Sequence, residues 1–462
     1  MKFGGTSMGS ADRMRVAAQI ALAEKAKRPV AIVVSAMSKV TDLLLDTMRL
    51  AERGEKDMVA ENIAALRERH ADTARELGVD AGAGIQGLVA EFERISSGIA
   101  LLGERPPRSV DEAVAIGERL SALLLAAYVR ALGHEASAIN AFDLVVTDAV
   151  FGNATPLMDQ TRVKAEAVLR PILQRGGLPV ITGFNGATAD GRPTTLGRGG
   201  SDFSASIIAS ALDASELWIW TDVDGIMTAD PRMVPDARVL DELTYAEAAE
   251  LAYNGAKVLH PRTLAPLAEK RIPVWSKNSF NTAARGTRIL PELAAPGGPR
   301  AVTSMANVAL VSVEPKSAVI SGTHVMARAL DALDLANTEV LTFSSSSYRQ
   351  SFCFLVRKDE LPASLKALEE GLSLEIAHGY VNVPEVDDEV GLIAVVGEGM
   401  RGVAGLAGKV FTAVSGEGVN IIAIAQGSSE LTINLVVSRE GLEKAVRAIH
   451  AVCLRQTEDS QK

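Results

Sequence analysis

Apolar and polar positions follow one rhythm as far as residue 290 and another beyond residue 300. In the first stretch, short runs rich in Val and Ile alternate with longer segments whose apolar residues recur every three or four positions. Pro29-Val30-Ala31-Ile32-Val33-Val34-Ser35-Ala36 is continuous and β-branched, the composition of a strand buried on both faces. Residues 178–184, 216–221 and 272–276 read the same way, and shorter strands are predicted near 135–139 and 145–147. Between them, helical spacing runs through Met14, Val16, Ala17, Ile20 and Ala21, then over 42–102 as two or three amphipathic helices. It resumes from Ser109, over 160–175, from Phe203 to Leu212 and from Tyr245 to Ala256. Such alternation predicts an α/β fold, an open and mainly parallel sheet sandwiched by helices.

Residues 291–299, rich in proline and glycine, read as a linker. Beyond it the pattern becomes β-α-β-β-α and then repeats. Strand 308–314, helix 324–335, strands 339–343 and 351–356 and helix 361–372 are followed by strand 390–397, helix 402–416, strands 419–426 and 431–438 and helix 441–452. Corresponding strands lie 84 positions apart, at 308 and 392. The repeat predicts two small ferredoxin-like βαββαβ modules, either of a ligand-sensing or dimerising kind or inert spacers. The expected boundaries are 1–290, 300–385 and 386–455.

Composition narrows the picture. A chain of 462 residues is too long for one core. With 47% hydrophobic residues and a mean hydropathy of +0.16 it can bury several. It shows neither a long uninterrupted apolar span nor a signal peptide, so a soluble cytoplasmic protein is expected. Cys353 and Cys453 make no disulfide framework and suit a reducing compartment. A formal net charge of −10 argues against nucleic acid as the main partner and requires any phosphate site to be locally positive. No Cys/His cluster has metal-ligand spacing, so no protein metal site is expected.

Candidate chemistry gathers at the ends of the predicted strands, where α/β proteins place their ligands. Thr194-Thr195-Leu196-Gly197-Arg198-Gly199-Gly200-Ser201-Asp202-Phe203 is a glycine loop that feeds a helix. Glycines let backbone approach a ligand, and a helix N-terminus favours an anion. Arg198 adds a fork suited to carboxylate or phosphate, while Ser201 and Asp202 read as N-cap residues. A carboxylate beside this positive site makes sense if it orients a lysine, a metal or an amine. Lys2-Phe3-Gly4-Gly5-Thr6-Ser7 is a second glycine-rich turn before a helix, and it is not a Walker loop. Glu118 sits among apolar residues, where a structural pair with Arg119 is the plain alternative. Strand 216–221 delivers Thr221, Asp222 and Asp224, but Met233 stands where a calcium loop would need Glu. With six histidines against 47 Lys and Arg, cationic phosphoryl transfer is the better fit than imidazole chemistry.

Taken together, the hexapeptide Lys2–Ser7 resembles the aspartokinase signature. Gly197–Asp202, Thr221–Gly225, Asp230-Pro231-Arg232 and Gly255-Ala256-Lys257-Val258-Leu259-His260-Pro261 are similar to that family's later motifs, in family order. The tandem repeat resembles its paired ACT domains. Gly397–Met400 and Gln426–Glu430 look closest to aspartokinases fused to homoserine dehydrogenase, although no dehydrogenase follows before Lys462. The resemblance implies an amino-acid kinase fold and transfer of the ATP γ-phosphate, with Mg²⁺, to the β-carboxylate of L-aspartate. It implies Lys2 as the transition-state cation oriented by Asp202, Arg198 at the α-carboxylate of aspartate and Glu118 at its α-amino group. Thr41, Phe184 and Ser201 would line that pocket. ATP would be held by Lys2, Gly4, Gly5, Thr6, Ser7, Thr221, Asp222, Met227, Arg232, Lys257 and Val258. A lysine or threonine effector would fall on Asn420 and Gln426, and assembly through ACT domains would give a homodimer or homotetramer.

The sequence departs from the family in three places. Only Met1 precedes Lys2, so a short first strand is expected. Met227 stands where relatives often place a tyrosine against the nucleotide. Thr342-Phe343-Ser344-Ser345-Ser346-Ser347-Tyr348 differs from its counterpart Gln426–Glu430 in the second repeat. Two other readings compete: an amino-acid kinase with a different acceptor, and a non-catalytic ACT-type amino-acid sensor.

Overall fold

A computed structural model describes the chain apart from residues 198, 257–258, 295–297, 317–319, 348–349 and 455–462. It forms two compact units. The first comprises Met1–Ile226, Asp241–Tyr245 and Leu259–Glu292; the second comprises Met227–Leu240, Ala246–Val258 and Leu293–Lys462. The units are therefore not contiguous in sequence, and two segments before residue 290 pack with the repeats.

The first unit is built on an eight-stranded sheet. Its order is Ala136–Ile139, Leu178–Thr182, Ile32–Val34, Lys2–Phe3, Leu217–Thr221, Val274–Asn278, Thr287–Leu290 and Glu242–Thr244. Adjacent strands run parallel except Val274–Asn278 against Thr287–Leu290. The β-branched run supplies Ile32–Val34, all three residues buried, because both faces carry helices. Region 42–102 forms Val40–Glu52, Lys56–Leu77 and Gly82–Leu102. Pro107 opens the helix Pro107–Ala131, a position where its missing N–H costs nothing. Lys2–Phe3 is a two-residue strand, yet it is central, with Lys2 opposite Val33 on one side and Ile219 on the other.

Sequence patterning misses four short strands. Val146–Thr147, Asn185–Thr188 and Pro193–Thr195 make a separate small sheet, of which only the first was expected. Glu242–Thr244 and Thr287–Leu290 extend the main sheet past the strand read as its last. Strands of three or four residues, three of the four with Glu, Asn, Gly or Pro among them, carry too little period-2 signal to be recognised alone.

In the second unit the two repeats share one six-stranded antiparallel sheet. Its order is Thr342–Ser345, Phe352–Arg357, Ala301–Val313, Glu385–Val396, Thr432–Ser438 and Ile421–Gln426. The first strand of each repeat is long enough, at 13 and 12 residues, to pair with the other along its length. Segment Met227–Leu240 meets the last helix through Thr228 Oγ1 and His450 Nε2 at 3.0 Å and through Arg447 Nε, which donates to the Met233 carbonyl at 2.6 Å. Glu250 accepts from the Thr432 hydroxyl at 2.8 Å, and Glu247 accepts from the Glu398 N–H at 2.9 Å. Among the described residues no helix is long and apolar enough to cross a membrane.

Candidate active site

At the carboxyl ends of the central strands of the first unit lies a cavity of about 500 Å³. Its wall includes Lys2, Gly5, Thr41, Glu118, Phe184, Ser201 and Asp202, residues that the sequence spreads over 200 positions. Local rules bring each one in.

The Lys2 side chain rises from the middle of the sheet and is almost buried, at 8% exposure. Its Nζ stands 2.7 Å from Asp202 Oδ1. The contact is ionic rather than a well-aligned hydrogen bond, since that oxygen takes part in none among the described residues. Gly4 follows because a side chain there would come within 3.3 Å of the Lys2 amine. The turn is closed by Met8 N–H on the Gly4 carbonyl at 3.1 Å and by Ser38 N–H on the Gly5 carbonyl at 3.1 Å.

Asp202 reaches Lys2 because the helix Gly200–Ala211 starts earlier than expected. Ser201 and Asp202 do not cap it; Gly199 does, in a left-handed conformation with φ of 69° and no side-chain cap. The aspartate thus stands in the first turn with its carboxylate free to face the amine, where a helix N-terminus also favours negative charge. Gly183 lets the helix approach the strand end: a Cβ there would lie 2.8 Å from that of Ser201. Phe184 takes φ of 73°, its N–H bound to Ser204 Oγ at 2.8 Å. A Cβ on Gly200 would fall 2.5 Å from Phe184 Cδ2 and 3.3 Å from its Cα. Gly200→Ala is therefore expected to destabilise the protein by about 1–3 kcal/mol through overpacking. Thermal unfolding measures that loss, and an unchanged midpoint would mean that the ring moves aside freely.

Glu118 comes from the opposite side, on the helix Pro107–Ala131. Gly117 lets that helix press against the loop after Ile32–Val34, where a Cβ would meet Ala36 Cβ at 2.8 Å. The next residue then offers Oε1 to the Ala36 N–H at 3.0 Å. Its Oε2 is buried with no partner among the described residues. Arg119 does not neutralise it, since that guanidinium pairs with Glu91. Burial pushes the Glu118 carboxyl up to about 8, against weaker opposing pulls from the Ala36 N–H and the Lys2 charge. A buried acceptor with a spare oxygen and a raised pKa suits a cationic guest that arrives with its own charge.

The remaining predicted residues are placed less closely together. Ser7 Oγ lies 2.7 Å from Ser279 Oγ, and Ser279 N–H donates to the Thr221 carbonyl at 2.9 Å, so the first turn and the end of Leu217–Thr221 are tied. Thr6 and Asp222 are exposed, and Thr221 is half-buried beside Asp222. Met227 and Arg232 belong to the second unit, where Arg232 pairs with Asp230 at 2.6 Å. In that unit Gln426 lines a cavity of about 210 Å³ with Met400, Leu406 and Glu430, whereas Asn420 stands exposed before Ile421–Gln426. Arg198, Lys257 and Val258 lie outside the described residues. Ser35, which follows the strand at its C-terminal end as Thr41 does, also lines the main cavity, and so do Ser38, Lys39 and Asp42, which were not singled out from sequence. Their position just past a strand carboxyl end was the available signal. A separate, mostly apolar cavity of about 400 Å³ around Pro29, Ile208 and Trp218 sits at the opposite ends of the strands.

A sequence model of the amino acid kinase family matches residues 1–278, and one of the ACT domain matches residues 393–452. Aspartokinase 2, chloroplastic, of Arabidopsis thaliana is 33% identical over 481 residues, covering 98% of this chain and 83% of the relative. The chain belongs to the aspartokinases, within the amino acid kinase family. Another similar protein is the bifunctional aspartokinase/homoserine dehydrogenase 1, chloroplastic, of the same plant, at 34% identity over 97% of this chain. This aspartokinase-family chain spans about half the length of that relative, at 50%. Among solved structures, E. coli aspartokinase III in complex with aspartate and ADP superposes with a TM-score of 0.83 at 31% identity, covering 98% of this chain and 99% of that one. The same enzyme in complex with lysine and aspartate gives 0.79 at 31% identity, with the same coverage.

Proposed function

We propose that this chain catalyses transfer of the ATP γ-phosphate to the β-carboxylate of L-aspartate, giving 4-phospho-L-aspartate and ADP. The observation that carries the reading is the Lys2–Asp202 ion pair in a cavity that also holds the unpartnered oxygen of buried Glu118. Its chemistry is that of two anions brought together. The acceptor carboxylate, with a pKa of about 4, is already ionised at pH 7 and needs no base. One of its oxygens bonds to the γ-phosphorus as the bond from that phosphorus to the β,γ-bridging oxygen breaks, and no proton moves. Catalysis then rests on positioning and charge neutralisation. Lys2 supplies positive charge at the phosphates, and Asp202 keeps the amine in place. Glu118 receives the α-ammonium of aspartate, Arg198 its α-carboxylate, and Thr41, Phe184 and Ser201 form the wall around it. Gly4, Gly5, Thr6, Ser7, Thr221 and Asp222 serve the nucleotide.

Mg²⁺ belongs to the reading as the ion that travels with ATP and screens its phosphates. No group of three or more His, Cys, Asp or Glu side chains among the described residues could hold a metal. Residues 1–290 are the catalytic part of this scheme, and 300–385 and 386–455 the ACT parts. A lysine or threonine effector acts at the latter near Gln426 and Asn420, in an oligomer joined through them. A cytoplasmic location completes the proposal.

Release of ADP that depends on L-aspartate, with the acyl phosphate trapped by hydroxylamine, tests the reading. Glutamate and carbamate run in parallel separate a kinase with another acceptor. No ADP release with any acid would leave the sensor reading standing instead. Lysine and threonine added singly to the same assay test the effector.

A further inference from the structure

We propose that Asp111 is a positioning residue for the aspartate pocket, acting through the glycine loop rather than touching the substrate. The inference rests on the kinase reading above. Asp111 is 2% exposed and lies two helical turns before Glu118, on the same side of Pro107–Ala131. Its carboxylate is fully occupied. Oδ2 accepts from Gly152 N–H at 2.8 Å and from Thr195 N–H at 2.9 Å, and Oδ1 accepts from the Thr195 hydroxyl at 2.8 Å. Burial raises the carboxyl above its ordinary range while these donors pull it down.

What the three bonds hold is specific. Thr195 ends the strand Pro193–Thr195, and the chain enters the loop Gly197–Gly200 two residues later. Gly152 belongs to the turn that backs this loop. Ala154 N–H donates to the Thr195 carbonyl at 2.8 Å, and Asn153 Oδ1 would lie only 2.6 Å from a Cβ on Gly197. Gly197 and Gly199 both take left-handed φ, at 75° and 69°, a conformation that glycine adopts without steric cost. One buried carboxylate therefore clamps the entry to the loop and its outer brace. The same rigid helix carries Glu118 to the far wall of the cavity. Asp111 thus fixes the distance between the group proposed for the α-ammonium and the loop proposed for the α-carboxylate.

Loosening this clamp should weaken aspartate selectively. Asp111→Ala is expected to raise the KM for aspartate about tenfold or more, with kcat and the KM for ATP within about threefold of wild type. Asp111→Asn should recover most of that loss. An amide oxygen can still take the two backbone N–H groups, and the Thr195 hydroxyl can turn to accept. If Asp111→Ala fails to fold, Thr195→Val removes one donor alone and should move the aspartate KM the same way by about threefold. Amide exchange at Gly197, Gly199 and Gly200 gives a readout independent of turnover and should quicken in both variants. An aspartate KM unchanged while the melting temperature drops would overturn the proposal, as would no rescue by asparagine or a parallel loss in kcat and both KM values. Should the wild type itself release no ADP with aspartate, the kinase reading fails. Unaltered glycine-loop exchange would then dispose of the clamp separately.

Discussion

Lys2→Ala is expected to lower kcat by about a thousandfold or more while leaving the KM for aspartate within a few fold of wild type. Removing one preorganised donor that stabilises developing charge costs about 10²–10³ in rate, and phosphoryl transfer depends on little else. Here the donor is fixed unusually firmly. Its backbone is paired on both sides, at Val33 and Ile219, and its amine is held by Asp202 at 2.7 Å. The substitution leaves the strand pairing untouched, so the variant should fold, and its circular dichroism should match wild type. Lys2→Arg keeps the charge but brings a planar fork into a confined place, where even a Cβ on Gly4 would stand only 3.3 Å from the amine, and partial activity is expected. A kcat for Lys2→Ala within about threefold of wild type would remove Lys2 from the proposed role.

Glu118→Gln should divide function from stability. Loss of the buried anion facing an ammonium is expected to raise the KM for aspartate about a hundredfold, the scale of breaking a buried charge pair. In the ligand-free protein the same change should be stabilising at neutral pH. The Glu118 carboxyl titrates at about 8 in the folded chain against an ordinary 4.5, so the native state holds a proton that the unfolded state has released. Stability contributed by this group is complete below pH 4.5 and declines as pH rises through 8. The glutamine variant lacks that decline, so its advantage in stability should grow from pH 5 to pH 8, reaching at most a few kcal/mol. Thermal melts across that range decide the matter, and parallel curves for the two proteins would count against the raised pKa. Bound aspartate should reverse the ranking, because only the wild type offers a carboxylate.

Much of this architecture is written in residue patterns, and the reasons for the gaps are physical. Ile32–Val34 and Leu217–Thr221 were legible because both faces of a parallel strand must be apolar. The β-α-β-β-α repeat was legible because its period survives in spacing. Its merger into one sheet was not, since the pairing of Ala301–Val313 with Glu385–Val396 is a tertiary choice. In the cavity, glycine loops and charged strand ends marked Lys2 and Asp202. They did not show that Gly199 rather than Ser201 would cap the helix, which is what frees Asp202 to face the amine. Glu118 was ambiguous for a similar reason. Nothing in its neighbours says that Arg119 turns to Glu91 and leaves it alone. Nor could linear order reveal that Met227–Leu240 packs with the repeats, because that depends on partners such as His450, more than 200 positions away.

The place of Lys2–Phe3 between Ile32–Val34 and Leu217–Thr221 also sets a timetable for biosynthesis. One of the two strands that flank the key amine is made more than 200 residues after it. At typical elongation rates that interval is about 10–40 s. Until it ends, the edge beside Phe3 is open to whatever extended segment passes by, which makes the nascent chain a natural client for chaperones.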